Sequence, residues 1–208
     1  MKDKRNRLVR WLLFLAGAGI VIWVSFVLDD AARGWMTGHQ SMAMRSFMRG
    51  VSRYGDWPEH VALGLILTAM AWSRGAKTWM RVFAAMILAC ALAGIGARAV
   101  KVATGRARPN VQTEARWNGP RLSSRYNAFP SGHTAASTAF FATLILAGWR
   151  IGAGLLLLPV LIAFSRMYGA AHYLSDVVCG ALIGLLAAFL VVRWKPLRLA
   201  DLKSEIQN

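Results

Sequence analysis

Acidic residues are scarce in this chain: nine Asp and Glu stand against 25 Lys and Arg over 208 residues, a formal net charge of +16. No acidic metal-binding cluster is visible among so few carboxylates. Cysteine is scarcer still. Cys90 and Cys179 each sit within an apolar run, with no second cysteine or histidine at ligand spacing, so neither a disulfide nor a zinc site is indicated and both read as small buried residues. Internal repeats, low-complexity tracts and a second domain are also missing, and residues 1–208 read as one unit.

What the chain has in excess is apolar length. It is 56% hydrophobic, above a soluble domain of this size. The positive charge alone would suit a nucleic-acid partner, but apolar runs of about twenty residues would not. A lipid bilayer reconciles the two, because it takes long apolar helices and leaves charge at their ends, where basic residues meet anionic headgroups.

Six apolar stretches predict an all-α, polytopic bundle of six transmembrane helices: Leu8–Leu28, Trp57–Trp72, Trp79–Val100, Gly132–Trp149, Ile151–Phe164 and Val177–Val192. The first follows Lys2, Lys4, Arg5 and Arg7 as a signal peptide would, yet it is long enough to span and is read as an uncleaved anchor. Pro58 suits a first helical turn, and Pro159 is expected to bend the fifth stretch. Trp57, Trp72, Trp79, Trp149 and Trp194 fall at the stretch ends as interfacial anchors, and Arg81 and Arg98 as snorkelling cations. In the connector from Asp29 to Asp56, Arg45, Arg49 and Arg53 recur every four residues opposite Phe47, Met48 and Val51. That pattern predicts an amphipathic helix in the interface or a connector packed on the bundle.

Loop charge sets the orientation. The basic amino terminus, Arg74, Lys77, Arg81, Arg150, and the tail residues Arg193, Lys195, Arg198 and Lys203 fall on one side, which should be cytoplasmic with both termini. The segment Lys101–Pro130 lies on the opposite side, yet carries Lys101, Arg106, Arg108, Arg116, Arg121 and Arg125. Binding an anionic substrate would account for cations placed against the rule.

Three clusters carry candidate chemistry, all expected on that outer side. Lys101 and Arg108 stand seven residues apart, about two turns if helical, before Pro109. An ammonium and a guanidinium aimed at one spot suit a tetrahedral oxyanion. Pro130-Ser131-Gly132-His133 opens the fourth stretch, where helix-start N–H groups receive anions and a histidine can give a proton to a leaving group. Ser165-Arg166 precedes His172 and Asp176, four apart, so a helix would set the carboxylate beside the imidazole and leave the other ring nitrogen free to attack. Each cluster alone has a structural explanation: a snorkelling pair, a capped helix, a buried His–Asp pair. Their shared side is what singles them out.

Lys101 to Pro109, Pro130 to His133 and Ser165 to Asp176 resemble, without a gap, the tripartite signature of the phosphatidic acid phosphatase type 2 family, which includes glucose 6-phosphatase and vanadium haloperoxidases. The resemblance covers the chain from about the third stretch to the sixth, a catalytic core at roughly 95–180. It implies a lipid phosphatase without cofactor or metal, in which His172 forms a phosphohistidine, Asp176 orients it and His133 protonates the departing oxygen. Lys101, Arg108, Ser131, Gly132 and Arg166 would hold the phosphoryl oxygens. Arg125 and Tyr126 are expected to touch the headgroup. The implied setting is a bacterial inner membrane with a periplasmic site, and the partners are the bilayer and a membrane lipid phosphate. Undecaprenyl diphosphate, phosphatidylglycerol phosphate, phosphatidate and lipid A 1-phosphate all suit. A phosphotransferase of the same family and a non-catalytic anionic-lipid binder or transporter remain the alternatives. A haloperoxidase is disfavoured by the spanning helices.

Overall fold

The computed structural model describes residues 2–194, and the basic tail expected on the cytoplasmic side lies partly outside them. Among the described residues the chain is all-helical, with no strand. The helices are α1 (Lys2–Val27), α2 (Asp29–Gly38), α3 (Met42–Tyr54), α4 (Trp57–Ser73), α5 (Lys77–Thr104), α6 (Gly132–Leu146), α7 (Leu157–Tyr168) and α8 (Leu174–Arg193).

All six apolar stretches are helical, but their lengths differ from expectation. Among the described residues only α5 and α8 are individually long and apolar enough to cross a bilayer, and Leu12–Val27 with Asp29–Gly38 qualifies only as a pair bent by 51°. The fourth and fifth stretches give shorter apolar helices, Gly132–Leu146 and Gly152–Tyr168. Pro159 does not bend the fifth stretch. It sits in the first turn of α7, after a 3₁₀ segment over Arg150–Leu156, where its missing N–H costs no intrahelical bond.

α5, α6 and α8 form the centre. Val82, Met86, Ala89, Ala93 and Ala97 recur at three- and four-residue spacing along α5 and meet Ala135, Ala139, Phe140 and Leu144 of α6 and Ala187 and Val191 of α8. Small residues dominate because the backbones come close. A Cβ on Gly180 would stand 2.5 Å from the carbonyl oxygen of Ser131, and one on Gly184 2.5 Å from that of Ala135. The outward faces are apolar, with Leu13, Ile66, Ile95, Val160 and Leu186 all exposed, as a lipid-facing surface requires.

Trp57, Trp72 and Trp194 are exposed at helix ends as anchors should be. Trp79 and Trp149 instead pack edge-to-face on each other at 6.2 Å, joining α5 to the turn after α6. The connector Asp29–Asp56 forms two helices, not one. Ser41 caps α3, Met48 is buried in a cluster with Met36 and Tyr168, and Arg45, Arg49 and Arg53 face outward. α3 is therefore both amphipathic and packed on α7.

Candidate active site

The candidate side chains sit at or near helix ends that meet because neighbouring helices run in opposite directions. Lys101 lies in the last turn of α5 and donates to the carbonyl of Asn127 at 2.8 Å. Gly105 ends that helix with φ of 54°, and a Cβ there would stand 1.8 Å from the carbonyl oxygen of Gly119, so the turn needs glycine. The helix does not continue to Arg108. That residue follows on a loop, where its N–H donates to the Arg125 carbonyl at 3.0 Å, and it reaches the same cavity as Lys101 by a tertiary route.

α6 starts with Ser131 as its cap, the hydroxyl accepting from the N–H of Thr134. His133 is in the first turn, its Nδ1 3.5 Å from Oδ1 of Asp56, the cap residue of α4. Arg166, near the end of α7, donates from its guanidinium to the hydroxyl of Ser52 on α3.

His172 and Asp176 are arranged differently from a helical pair. α8 begins at Leu174, so His172 precedes it, and Asp176 in the third position accepts the N–H of Tyr173 at 2.7 Å. The carboxylate does lie beside the imidazole, with Nδ1 and Oδ2 3.6 Å apart, but the short bond from Nδ1 goes to the carbonyl of Ala128 at 2.6 Å. A carbonyl only accepts, so Nδ1 carries the proton and Nε2 keeps its lone pair. Burial, then the positive charges of Lys101, Arg166 and Arg108, push the imidazole well below its ordinary value, against the pull of the Ala128 carbonyl. His172 is thus a neutral base at physiological pH.

One cavity of about 880 Å³ is lined by Lys101, Arg108, Gly132, His133, Arg166 and His172. Asp56, Trp57, Ser124 and Asn127 complete its polar end, and Ala91, Gly94 and Ile95 of α5 extend it along an apolar wall. Nε of Arg108, Nε of Arg166 and Nε of Arg106 are buried without a hydrogen-bond partner. Among the described residues no group of three or more His, Cys, Asp or Glu stands at metal-binding range.

Four expected residues stand off this wall, among them Asp176, which is fully buried behind His172. Ser131 is fully buried with its hydroxyl on Thr134, because capping the helix takes that hydroxyl inward. Arg125 and Tyr126 form a 3₁₀ turn beside the cavity, where Arg125 offers its backbone carbonyl to Arg108 and Tyr126 stacks under Arg121 at 5.6 Å. Four residues not singled out from sequence join the site or its support: Asp56, Asn127, Arg106 and Asp29. Arg106 stood in view as a second arginine two residues before Arg108. The others had no local signal, since chain folding alone brings them in.

A helical membrane protein with two histidines and three basic side chains at one cavity is the class these features define. The chain belongs to the PAP2 superfamily, whose profile matches residues 79–200, more than half of its length and all three clusters. It is 33% identical over 97 residues to a lipid A 1-phosphatase of Rhizobium johnstonii, a match that spans 44% of this chain and 38% of that relative. The fold is shared with Aquifex aeolicus LpxE at a TM-score of 0.61 and 22% identity, over 80% of this chain and 96% of that one. It is also shared with a transmembrane PAP2 type phosphatidylglycerolphosphate phosphatase of Bacillus subtilis, at 0.63 and 22%, over 89% and 94%.

Proposed function

We propose that this protein is an integral membrane lipid phosphatase working through a phosphohistidine on His172. The observation that carries this is the single cavity with His133 and His172 on its wall among three cations. The lone pair on Nε2 of His172 attacks phosphorus while the bond from phosphorus to the lipid oxygen breaks, and His133, as the imidazolium facing the Asp56 carboxylate, gives that oxygen its proton. Water then attacks the phosphohistidine, passing a proton to His133, and the phosphorus–nitrogen pair returns to Nε2 as phosphate leaves. Lys101, Arg108, Arg166 and the Gly132 N–H stabilise charge on the equatorial oxygens, and Asp176 offsets the charge on the imidazole. No step needs a metal.

The substrate class is a lipid phosphomonoester or diphosphate, whose chain fits the apolar wall along α5. The names of the relatives support lipid A 1-phosphate and phosphatidylglycerol phosphate, ahead of undecaprenyl diphosphate and phosphatidate. Phosphate release from these four lipids, measured on purified protein in detergent with chelator, tests the assignment. Turnover of at least one, abolished in His172→Ala, is expected. Binding without turnover would indicate a lipid carrier, and a phosphorylated alcohol product would indicate a transferase.

The six helical stretches then give six crossings, the first over Leu8–Leu28 with α2 and α3 in the connector that follows it, in a bacterial inner membrane. The site faces the periplasm, and both termini are cytoplasmic. Labelling of Arg121→Cys by an impermeant maleimide on spheroplasts supports this, and protection until lysis would reverse it.

A further inference from the structure

Arg106 is fully buried behind the catalytic pair, a place where an arginine is retained only with partners. Its Nη1 donates to Oδ1 of Asp176 at 2.5 Å and to the hydroxyl of Ser175 at 2.7 Å, and its Nη2 to Oδ2 of Asp29 at 2.6 Å. The guanidinium carbon lies 4.3 Å from the ring centre of Tyr173, 4.8 Å from that of Trp117 and 5.3 Å from that of Phe26. Asp29 has a second task. Its carboxylate accepts the N–H of Ser175 at 2.8 Å and the Ser175 hydroxyl at 2.7 Å, a cap on α8 supplied by another helix. It reaches that point because the first apolar helix breaks at Leu28 and turns by 51°, putting Asp29 at the elbow.

Buried ion pairs add little to stability, and their better-attested use is to fix one geometry. Here the fixed group is Asp176. One of its oxygens faces Nδ1 of His172 and the Tyr173 N–H, and the other is held by Arg106, which Asp29 holds in turn. Two carboxylates share one guanidinium, an excess of carboxylate behind the imidazole. That imidazole gains positive charge when Nε2 bonds to phosphorus, so the excess is placed where the transition state needs it.

We propose that Asp29 and Arg106 are positioning residues for the reaction, acting through Asp176 on His172, so that the elbow of the first membrane helix is part of the catalytic apparatus. This rests on the phosphohistidine reading above.

The test compares the parent, His172→Ala, Asp29→Asn and Arg106→Lys as full-length proteins in detergent. Asp29→Asn keeps an oxygen for the Ser175 N–H, and Arg106→Lys keeps a charge without the fork that spans two carboxylates. The expected result in both variants is a kcat lowered about tenfold or more, with KM and inhibition by inorganic phosphate nearly unchanged in the protein that folds, because the oxyanion cradle is untouched. A kcat within about twofold of the parent, or a parallel loss of phosphate affinity, overturns the proposal. If Arg106→Lys fails to fold, the isosteric Asp29→Asn decides. A parent that releases no phosphate, or a fully active His172→Ala, would instead defeat the phosphatase reading itself.

Discussion

Nδ1 of His172 lies 2.6 Å from the carbonyl oxygen of Ala128, and that backbone group, not a side chain, sets the tautomer of the imidazole. Ala128 is itself fixed, its N–H donating to the carbonyl of Arg106 at 3.0 Å, so the loop after α5 holds the ring that lies before α8. Asp176 is thereby left to contribute charge from 3.6 Å.

The pH dependence follows from the burial of that ring. The imidazole of His172 is held well below its ordinary 6.5 in the folded state, by burial first and by Lys101, Arg166 and Arg108 next. The unfolded chain takes up a proton near 6.5 while the folded chain refuses it, so this contribution to stability is present above that pH and lost as pH falls below it. The same shift leaves Nε2 of His172 unprotonated at pH values where a free imidazole is already charged. Measured across about pH 5 to 8, kcat/KM should show no acid limb near 6.5 belonging to His172, and Tm should decline on the acid side. A limb at 6.5 that titrates His172 directly would contradict the buried geometry.

Arg166 distinguishes a shaped oxyanion cradle from a cloud of positive charge. Its guanidinium is held by Ser52, and the residue lines the cavity. Arg166→Lys keeps the charge and loses the planar fork. Inhibition by inorganic phosphate should weaken roughly tenfold or more, and kcat should fall with it. Unchanged phosphate inhibition would mean that Arg166 does not touch the anion.

Gly180 is expected to be intolerant of a side chain, since its Cβ would meet the Ser131 carbonyl at 2.5 Å. The obstacle is backbone, and it lies next to the start of α6 that carries Gly132 and His133. Gly180→Val should lower both the yield of folded protein and the activity of what remains, by about 1–3 kcal/mol in stability for an overpacked core. Gly154→Ala, where nothing lies within 4 Å of the added carbon, should match the parent in thermal melting and turnover.

Much of the fold and the three clusters could be read from sequence because both depend on short-range pattern. Apolar stretches of helical length appear as helices, and Lys101, Arg108, His133, Arg166 and His172 meet at one cavity. Arg108 and His172 lie outside helices, and each reaches its place through a loop held by backbone hydrogen bonds. Pro159 begins a helix because a 3₁₀ segment precedes it, and nothing local distinguishes that from a bend. Asp29 and Arg106 are 77 residues apart and carry opposite charge in ordinary surroundings, so only the folded chain shows that they pair.

The most direct test of the central claim is chemical trapping of the intermediate. His133→Ala protein, given an aryl phosphate whose leaving group needs no acid, should form the phosphoenzyme and release it slowly, because the group that activates water is gone. After an alkaline quench, peptide mapping should find phosphate on His172, and none when His172→Ala is added. Phosphate on any other residue, or turnover that persists in the double variant, would contradict the account.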